Sequence, residues 1–194
     1  MRKIKLRPVV GTALVKMGLL PRRWNILAKL INNYGIKTYC EVGIMEGNTA
    51  FYVLKNCNLN QLYLIDPYLA EFFTEYENQH NCIYKSVLNK FAPYKQVQVI
   101  RAMSPQAASR FENGSLGLVF IDADHSYGAV VADILAWLPK VKPGGFLAGH
   151  DYQKSYPGVI KAVDEVLQRT HVNVLTDSVW VYRKAKKPGC DSSE

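Results

Sequence analysis

At 194 residues, 48% of them apolar, the chain is long enough to bury one core and too short for two comfortable ones, so a single main domain is expected. Lys16 interrupts the longest early apolar stretch, Pro8 to Leu20, well short of the roughly 18 to 20 residues that span a bilayer, and the basic start Met1-Arg2-Lys3-Ile4-Lys5 has no small-residue cleavage site after it; the expectation is no membrane span and a cytoplasmic location. The formal charge of +8 admits a nucleic-acid partner, but Arg2, Lys3, Lys5 and Arg7 crowd one end and Arg183, Lys184, Lys186 and Lys187 the other, where solvated tails account for it.

From about Val9 to Asn33 the apolar residues Leu14, Met17, Trp24, Leu27, Ala28, Leu30 and Ile31 recur at helical spacing. Pro21 divides this stretch into two helices, and Asn32-Asn33-Tyr34-Gly35 ends the second. Residues 1–35 are thus a helical arm that either lids a cleft, meets a second subunit in a homodimer, or packs on the core. Residues 36–185 alternate strands and helices, the pattern of a parallel sheet covered on both faces. Strands are expected at Thr38–Val42, Gln61–Ile65, Val97–Ala102, Leu116–Ile121 and Gly145–Gly149, with two more near Val172–Leu175 and Val179–Arg183. Helices are expected around Asn48–Asn56, Glu71–Phe91, Pro105–Phe111, Tyr127–Leu138 and Gly158–Thr170. Only Thr176-Asp177-Ser178 separates the last two strands, so they read as an antiparallel hairpin. Right-handed crossovers then give a doubly wound α/β fold, a mostly parallel seven-stranded sheet with an antiparallel strand near one edge. The polar segment 186–194 has the composition of a disordered tail. Cys40, Cys57, Cys82 and Cys190 are scattered without metal-ligand spacing, and the first two fall in apolar patterns that suit core thiols.

Leu118-Val119-Phe120-Ile121 and Gly145-Phe146-Leu147-Ala148 are continuously apolar, as strands buried on both faces are. Polar groups following them therefore lie along the sheet edge where open α/β folds bind ligands. The first of these runs continues into Asp122-Ala123-Asp124-His125-Ser126-Tyr127, the second into Gly149-His150-Asp151-Tyr152. At the end of the first strand, Glu41-Val42-Gly43-Ile44-Met45-Glu46-Gly47-Asn48-Thr49 runs straight into a helix, its glycines permitting a tight turn and close approach of a ligand to unpaired helix N–H groups. The GxGxxG nucleotide fingerprint is missing, and an acid at Glu41 disfavours a diphosphate and suits a ligand with a positive or amino-bearing end. Asp66, closing the second strand before Pro67, stands where a carboxylate accepts bonds from two ribose hydroxyls.

Taken in order, Glu41-x-Gly-x-x-x-Gly, Asp66 and Lys142-Pro143-Gly144-Gly145 resemble the motifs of the class I S-adenosylmethionine-dependent methyltransferases, which have a Rossmann-like fold. The likeness extends over most of Tyr39 to Val163. Its most specific pieces, Ile121-Asp122-Ala123-Asp124-His125-Ser126-Tyr127 and His150-Asp151-Tyr152, resemble the small-molecule O-methyltransferases that include catechol and macrolide-sugar enzymes. The resemblance implies S-adenosylmethionine as cofactor, held by Glu41, Gly43, Gly47, Asn48, Thr49, Asp66, Met103, Ser104 and Asp122. It implies a small-molecule or sugar hydroxyl as acceptor and His125 as general base, imidazole being the side chain suited to proton transfer near neutral pH. In metal-dependent members the positions of Asp122, His150 and Asp151 bind magnesium. Imidazole suits manganese, iron or zinc better, so Asp122 and Asp151 are the firmer ligands and His150 is either a ligand or a hydrogen-bond donor.

Several of these residues have plainer readings. His125 is otherwise a helix-capping or core histidine, Ser104 before Pro105 a helix N-cap, and Asp124 a ligand, a cap or a substrate contact. Tyr127 and Tyr152 either line the acceptor pocket or pack with a wet hydroxyl. Tyr68, Phe72, Phe73, Tyr76 and His80, in the segment from Pro67 to Asn81, form a flap or, at helical spacing, an amphipathic face. Two other functions stand beside the O-methyltransferase. One is an RNA-directed methyltransferase, which the basic balance favours and the missing Asn/Asp-Pro-Pro-aromatic motif disfavours; the other is a non-catalytic module that binds the cofactor alone.

Overall fold

The computed structural model describes residues 20–69 and 77–186. The first arm helix, the middle of the aromatic stretch after Pro67 and nearly all of the polar tail lie outside them. Among the described residues no helix is long and apolar enough to cross a membrane.

The chain enters through helix α1 (Arg23–Asn33) and then alternates: β1 (Thr38–Val42), α2 (Asn48–Asn56), β2 (Gln61–Asp66), α3 (Glu77–Phe91), β3 (Val97–Arg101), α4 (Ser104–Ala108), β4 (Leu116–Ile121), α5 (Tyr127–Trp137), β5 (Val141–Gly149), α6 (Pro157–Leu167), β6 (Val172–Val174) and β7 (Trp180–Arg183). The sheet runs β3-β2-β1-β4-β5-β7-β6, with β1 to β5 parallel and β7 antiparallel to both its neighbours. The expected doubly wound sheet is therefore present, and β7 lies between β5 and the edge strand β6.

Strand periodicity divides the core in two. Tyr39, Leu62, Leu64, Leu118 and Phe120 face Leu27 and Ile31 of α1, Val53 and Leu54 of α2, and Val87 and Phe91 of α3. Their alternates Cys40, Val42, Ile65, Val119 and Ile121 face Ala107 and Ala108 of α4, Ile134 and Trp137 of α5, and Val159 and Val163 of α6. Every residue of β4 is buried, which explains its unbroken apolar run. Cys40 is buried and Cys57 half-buried, and neither is in a disulfide.

Several expected boundaries move, among them those of the helix expected at Pro105–Phe111, which is Ser104–Ala108, and two of the shifts have a visible backbone cause. Strand β5 begins at Val141, four residues early, because Lys142-Pro143-Gly144-Gly145 is an irregularity inside the strand: Leu116 pairs with Val141 and Leu118 with Phe146. Pro143 has no N–H to give a ladder, and Gly144 takes φ +79°, so the pair fits only at a bulge. Helix α6 stops at Leu167, where Gln168 turns left-handed at φ +59°.

Candidate active site

Helices following β1 and β2 lie on one face of the sheet and those following β4 and β5 on the other, so a crevice opens beyond the C-terminal ends of β1 and β4. The end of β1 is tied there to both neighbouring strands, β2 and β4. Gly43 N donates to Ile65 O (2.9 Å) and Asp122 N to Val42 O (2.7 Å). At Gly43, φ +81°, a Cβ would collide with the Asp122 carbonyl and stand 2.8 Å from Cα of Ala123. Glycine is required at this point both for the backbone angle and for the closeness of the two turns.

Asp66 fastens together the turns that follow β1 and β2. Its carboxylate accepts from Met45 N (2.9 Å) and from Tyr68 N (2.9 Å), and Tyr68 returns a hydroxyl bond to Met45 O (3.0 Å). Met45 and Tyr68 both have positive φ, 48° and 47°, a conformation these hydrogen bonds hold in place. Arg101 reinforces the second turn, donating to Pro67 O (3.2 Å) and Tyr68 O (3.0 Å). Asn48 is engaged on both sides, donating to Glu46 Oε2 (2.9 Å) and accepting from Lys90 Nζ (3.0 Å), while Thr49 is buried.

Glu41 is 2% exposed and accepts the Tyr39 hydroxyl at 2.6 Å. Burial raises its pKa from 4.5 to about 8; the Tyr39 bond and the Arg23 charge pull it down, and Asp122 adds to the rise. The folded chain therefore holds Glu41 largely protonated at neutral pH.

One strand over, the ends of β4 and β5 bring the predicted chemical residues together. His125 Nε2 lies 2.8 Å from Asp151 Oδ2, and His150 Nδ1 lies 3.1 Å from that same oxygen and 3.6 Å from Asp122 Oδ1. Asp151 turns back over the site because its backbone is left-handed, φ +59°, with Gln153 Nε2 donating to its other oxygen (3.1 Å). Burial works to raise the Asp151 carboxyl, but the His150 hydrogen bond and the two imidazoles outweigh it and the pKa falls below the usual value. Asp122 goes the other way: burial lifts it, and His150 and Arg23 recover only part of the rise. For His150 burial is a lowering influence that the Asp151 bond and the Asp122 charge overcome, so its pKa is raised. Donor atoms of Asp122, His125 and Asp151 all lie within 4.8 Å of one another. Two carboxylates and an imidazole at that spacing fit a divalent ion of the manganese, iron or zinc type better than magnesium.

Arg23, at the start of α1, also enters this cluster. Its Nη1 stands 3.4 Å from Asp122 Oδ2 and 3.1 and 3.3 Å from the two ring nitrogens of His150. Its backbone N donates to Asp177 Oδ2 (2.7 Å), in the turn before β7, while Thr176 Oγ1 donates to Pro21 O (3.0 Å). Neither Arg23 nor Asp177 was expected here. The available signal was the pair Arg22-Arg23 at a helix N-terminus, the end whose dipole disfavours cations and where a positive side chain needs some other reason.

The remaining predicted residues are dispersed. Met103 is exposed and is the residue preceding α4; Ser104 is inside that helix and is not its cap. The Ser104 hydroxyl donates to the buried Asp133 and accepts from Trp137 Nε1 (2.9 Å). Burial raises Asp133 to about 6, against the pull of the Ser104 bond. Asp124 Oδ1 accepts from Ser126 N (2.6 Å), and Ser126 caps α5. Tyr127 and Tyr152 point their hydroxyls at Glu165 (2.7 Å) and Asp164 (2.7 Å) of α6.

A protein-family model described as a methyltransferase domain matches residues 40–152, from β1 through the end of β5. An uncharacterized protein of Acanthamoeba polyphaga mimivirus is 28% identical over 153 residues, 74% of this chain; the match spans 66% of that relative, just under two thirds of its length. Among solved structures, the O-methyltransferase NovP superposes with a TM-score of 0.62 at 14% identity, covering 82% of this chain and 76% of that one. A methyltransferase from Geobacter sulfurreducens gives 0.64 at 12% identity, covering 93% of this chain and 100% of that one. At such identities the two structures speak for the fold.

Proposed function

The chain belongs to the methyltransferase-domain family, and from that premise we propose that it transfers a methyl group from S-adenosylmethionine to a hydroxyl of a small molecule or sugar. The observation that carries this reading is the meeting of Asp122, His125, His150 and Asp151 at the ends of β4 and β5, one strand from the glycine turn that follows β1. Asp66 receives the ribose hydroxyls on the lone pairs that its two backbone donors leave free. Gly43 and Gly47 shape the turn along which the cofactor lies, their Cβ space being taken by the Asp122–Ala123 backbone and the Phe91 ring; Asn48 and Thr49 border it at the start of α2, and Met103 and Ser104 flank the adenine. Glu41 lies behind the turn, toward the amino-bearing end.

A sulfonium carries its own activation, so the protein's work is to orient the hydroxyl, take its proton and keep water out. With Nε2 donating to Asp151, His125 keeps Nδ1 for that proton, and Asp151 fixes the ring as the third member of a catalytic triad does. Asp122 and Asp151, with His150 or His125 as third ligand, would hold a divalent ion. Such an ion lowers the pKa of a bound hydroxyl and aligns it for transfer. If His125 is a ligand it is not the base, so the two arrangements exclude each other.

The test is calorimetry with S-adenosylmethionine, then turnover on catechols, sugars and glycosides with S-adenosylhomocysteine release as readout. Binding with turnover is expected. No binding overturns the cofactor assignment, and binding without turnover across the panel favours a non-catalytic module. EDTA treatment followed by add-back of magnesium or manganese decides the ion; a rate indifferent to chelation means the aspartates act without one.

A further inference from the structure

We propose that Arg23 is the resident counter-cation of the Asp122–Asp151 cluster and competes with a divalent metal ion for it, so that an ion entering the site expels the guanidinium. The inference rests on the metal-holding part of the reading above but not on methyl transfer. Its basis is where Arg23 stands and how it is held.

Nη1 is 3.4 Å from Asp122 Oδ2, an oxygen of the same carboxylate that contributes to the three-residue donor set. The near-equal distances of 3.1 and 3.3 Å to the two nitrogens of His150 place it across that imidazole rather than at one lone pair. A dipositive ion seated among donors 4.8 Å or less apart would face this guanidinium at close range, in a half-buried site where water screens poorly. The two cations therefore have use of the same negative charge and repel each other when both are present.

The grip on the carboxylate is weak: among the described residues the guanidinium's ion pair is Nη1 to Asp122 Oδ2 at 3.4 Å, longer than a charge-assisted hydrogen bond, and its buried Nε has no hydrogen-bond partner there. What secures this end of α1 is the backbone of Arg23 on Asp177 and the seating of Leu27 and Ile31, 0% and 1% exposed, in the core. Expulsion of the side chain therefore does not require the helix to undock.

The experiment is Mn²⁺ titration of the full chain by calorimetry, comparing wild type with Arg23→Met and with Lys29→Met, an exposed lysine on the same helix that controls for loss of a distant charge. Competition requires Arg23→Met to bind Mn²⁺ at least about 10-fold more tightly, with Lys29→Met within about 2-fold of wild type, and the gain to vanish when Asp122→Asn is added. Equal or weaker affinity in Arg23→Met, or no binding by either protein, overturns the proposal. Should Arg23→Met not fold, the unmutated chain still answers: phenylglyoxal labelling of Arg23, read by peptide mass spectrometry, rises on Mn²⁺ saturation if the guanidinium is expelled, and unchanged labelling refutes it. None of these readouts uses the methyl donor. Competition without S-adenosylmethionine binding would sink the functional reading alone, and turnover with Arg23-independent Mn²⁺ binding would sink this one alone.

Discussion

Glu41 offers a quantitative check on how burial sets the chemistry of the crevice. In the unfolded chain its carboxyl titrates near 4.5; in the folded chain burial raises it to about 8. Between those values the folded state keeps a proton that the unfolded state has released, so unfolding is favoured progressively as pH rises, and the loss is complete above about pH 8. At about 1.36 kcal/mol per pH unit the displacement corresponds to roughly 4–5 kcal/mol. Glu41→Gln keeps an acceptor for the Tyr39 hydroxyl and abolishes the titration. It should match wild type near pH 4.5 and exceed it by on the order of 4 kcal/mol at pH 8.5, a gap in Tm widening by roughly 8–15 °C for a chain of this length. Thermal melts across pH 5 to 9 measure it. A gap that stays flat across that range would mean Glu41 is ionised in the folded protein and the burial argument is wrong. The functional side has its own readout: if the cationic end of the cofactor docks against Glu41, binding near pH 7 expels up to about one proton, seen as a buffer-dependent binding enthalpy that the Gln variant lacks.

Gly43→Ala should cost about 2–4 kcal/mol in urea denaturation, because its Cβ meets the Asp122 backbone at φ +81°; a loss under about 0.5 kcal/mol would show that the two turns can part easily. Asp66→Ala removes the acceptor of two backbone N–H groups, so it should both weaken S-adenosylmethionine binding and destabilise by about 1–2 kcal/mol, whereas His125→Ala should leave cofactor affinity intact and lower turnover by on the order of 10²-fold or more. Equal activity in the His125 variant would remove that residue from the mechanism. Ser104→Ala strips the buried Asp133 of its donor, and since Asp133 titrates near 6 the cost, about 1–3 kcal/mol, should be greater at pH 8, where the carboxyl is charged, than at pH 5; equal losses would contradict this.

Where an element's bounds follow from its neighbours in sequence, they were legible. The bounds of β1, β4 and α2 match the sequence reading to the residue, because apolar continuity and the glycine turn are local signals. The early start of β5 was hidden because Pro143 argues against a strand unless a bulge absorbs it, and the bulge depends on pairing with β4. Asp66 was read as a carboxylate open to a ligand, and it also fastens two backbone turns, which only the spatial approach of Met45 and Tyr68 reveals. Arg23 meets Asp177 across 154 residues of chain. No periodicity encodes that contact; it follows from where α1 packs and where the β6–β7 connection turns.

Carboxyl groups of similar intrinsic acidity thus receive different charge states along one sheet edge, and the difference tracks their burial and polar neighbours. Glu41, buried with the uncharged Tyr39 hydroxyl and Ala50 backbone as donors, is driven toward the neutral acid, and Asp151, facing two imidazoles, toward the anion. Asp122 lies between these cases, lifted by burial and partly recovered by His150 and Arg23. The anion is thereby placed beside His125, where an imidazole that takes a proton gains most from a fixed negative partner, while the crevice end keeps a protonated acid that a cationic ligand can convert to its counter-charge. A protein that ionised both ends equally would hold three like charges within two strands of one another, and burial at Glu41 removes one of them.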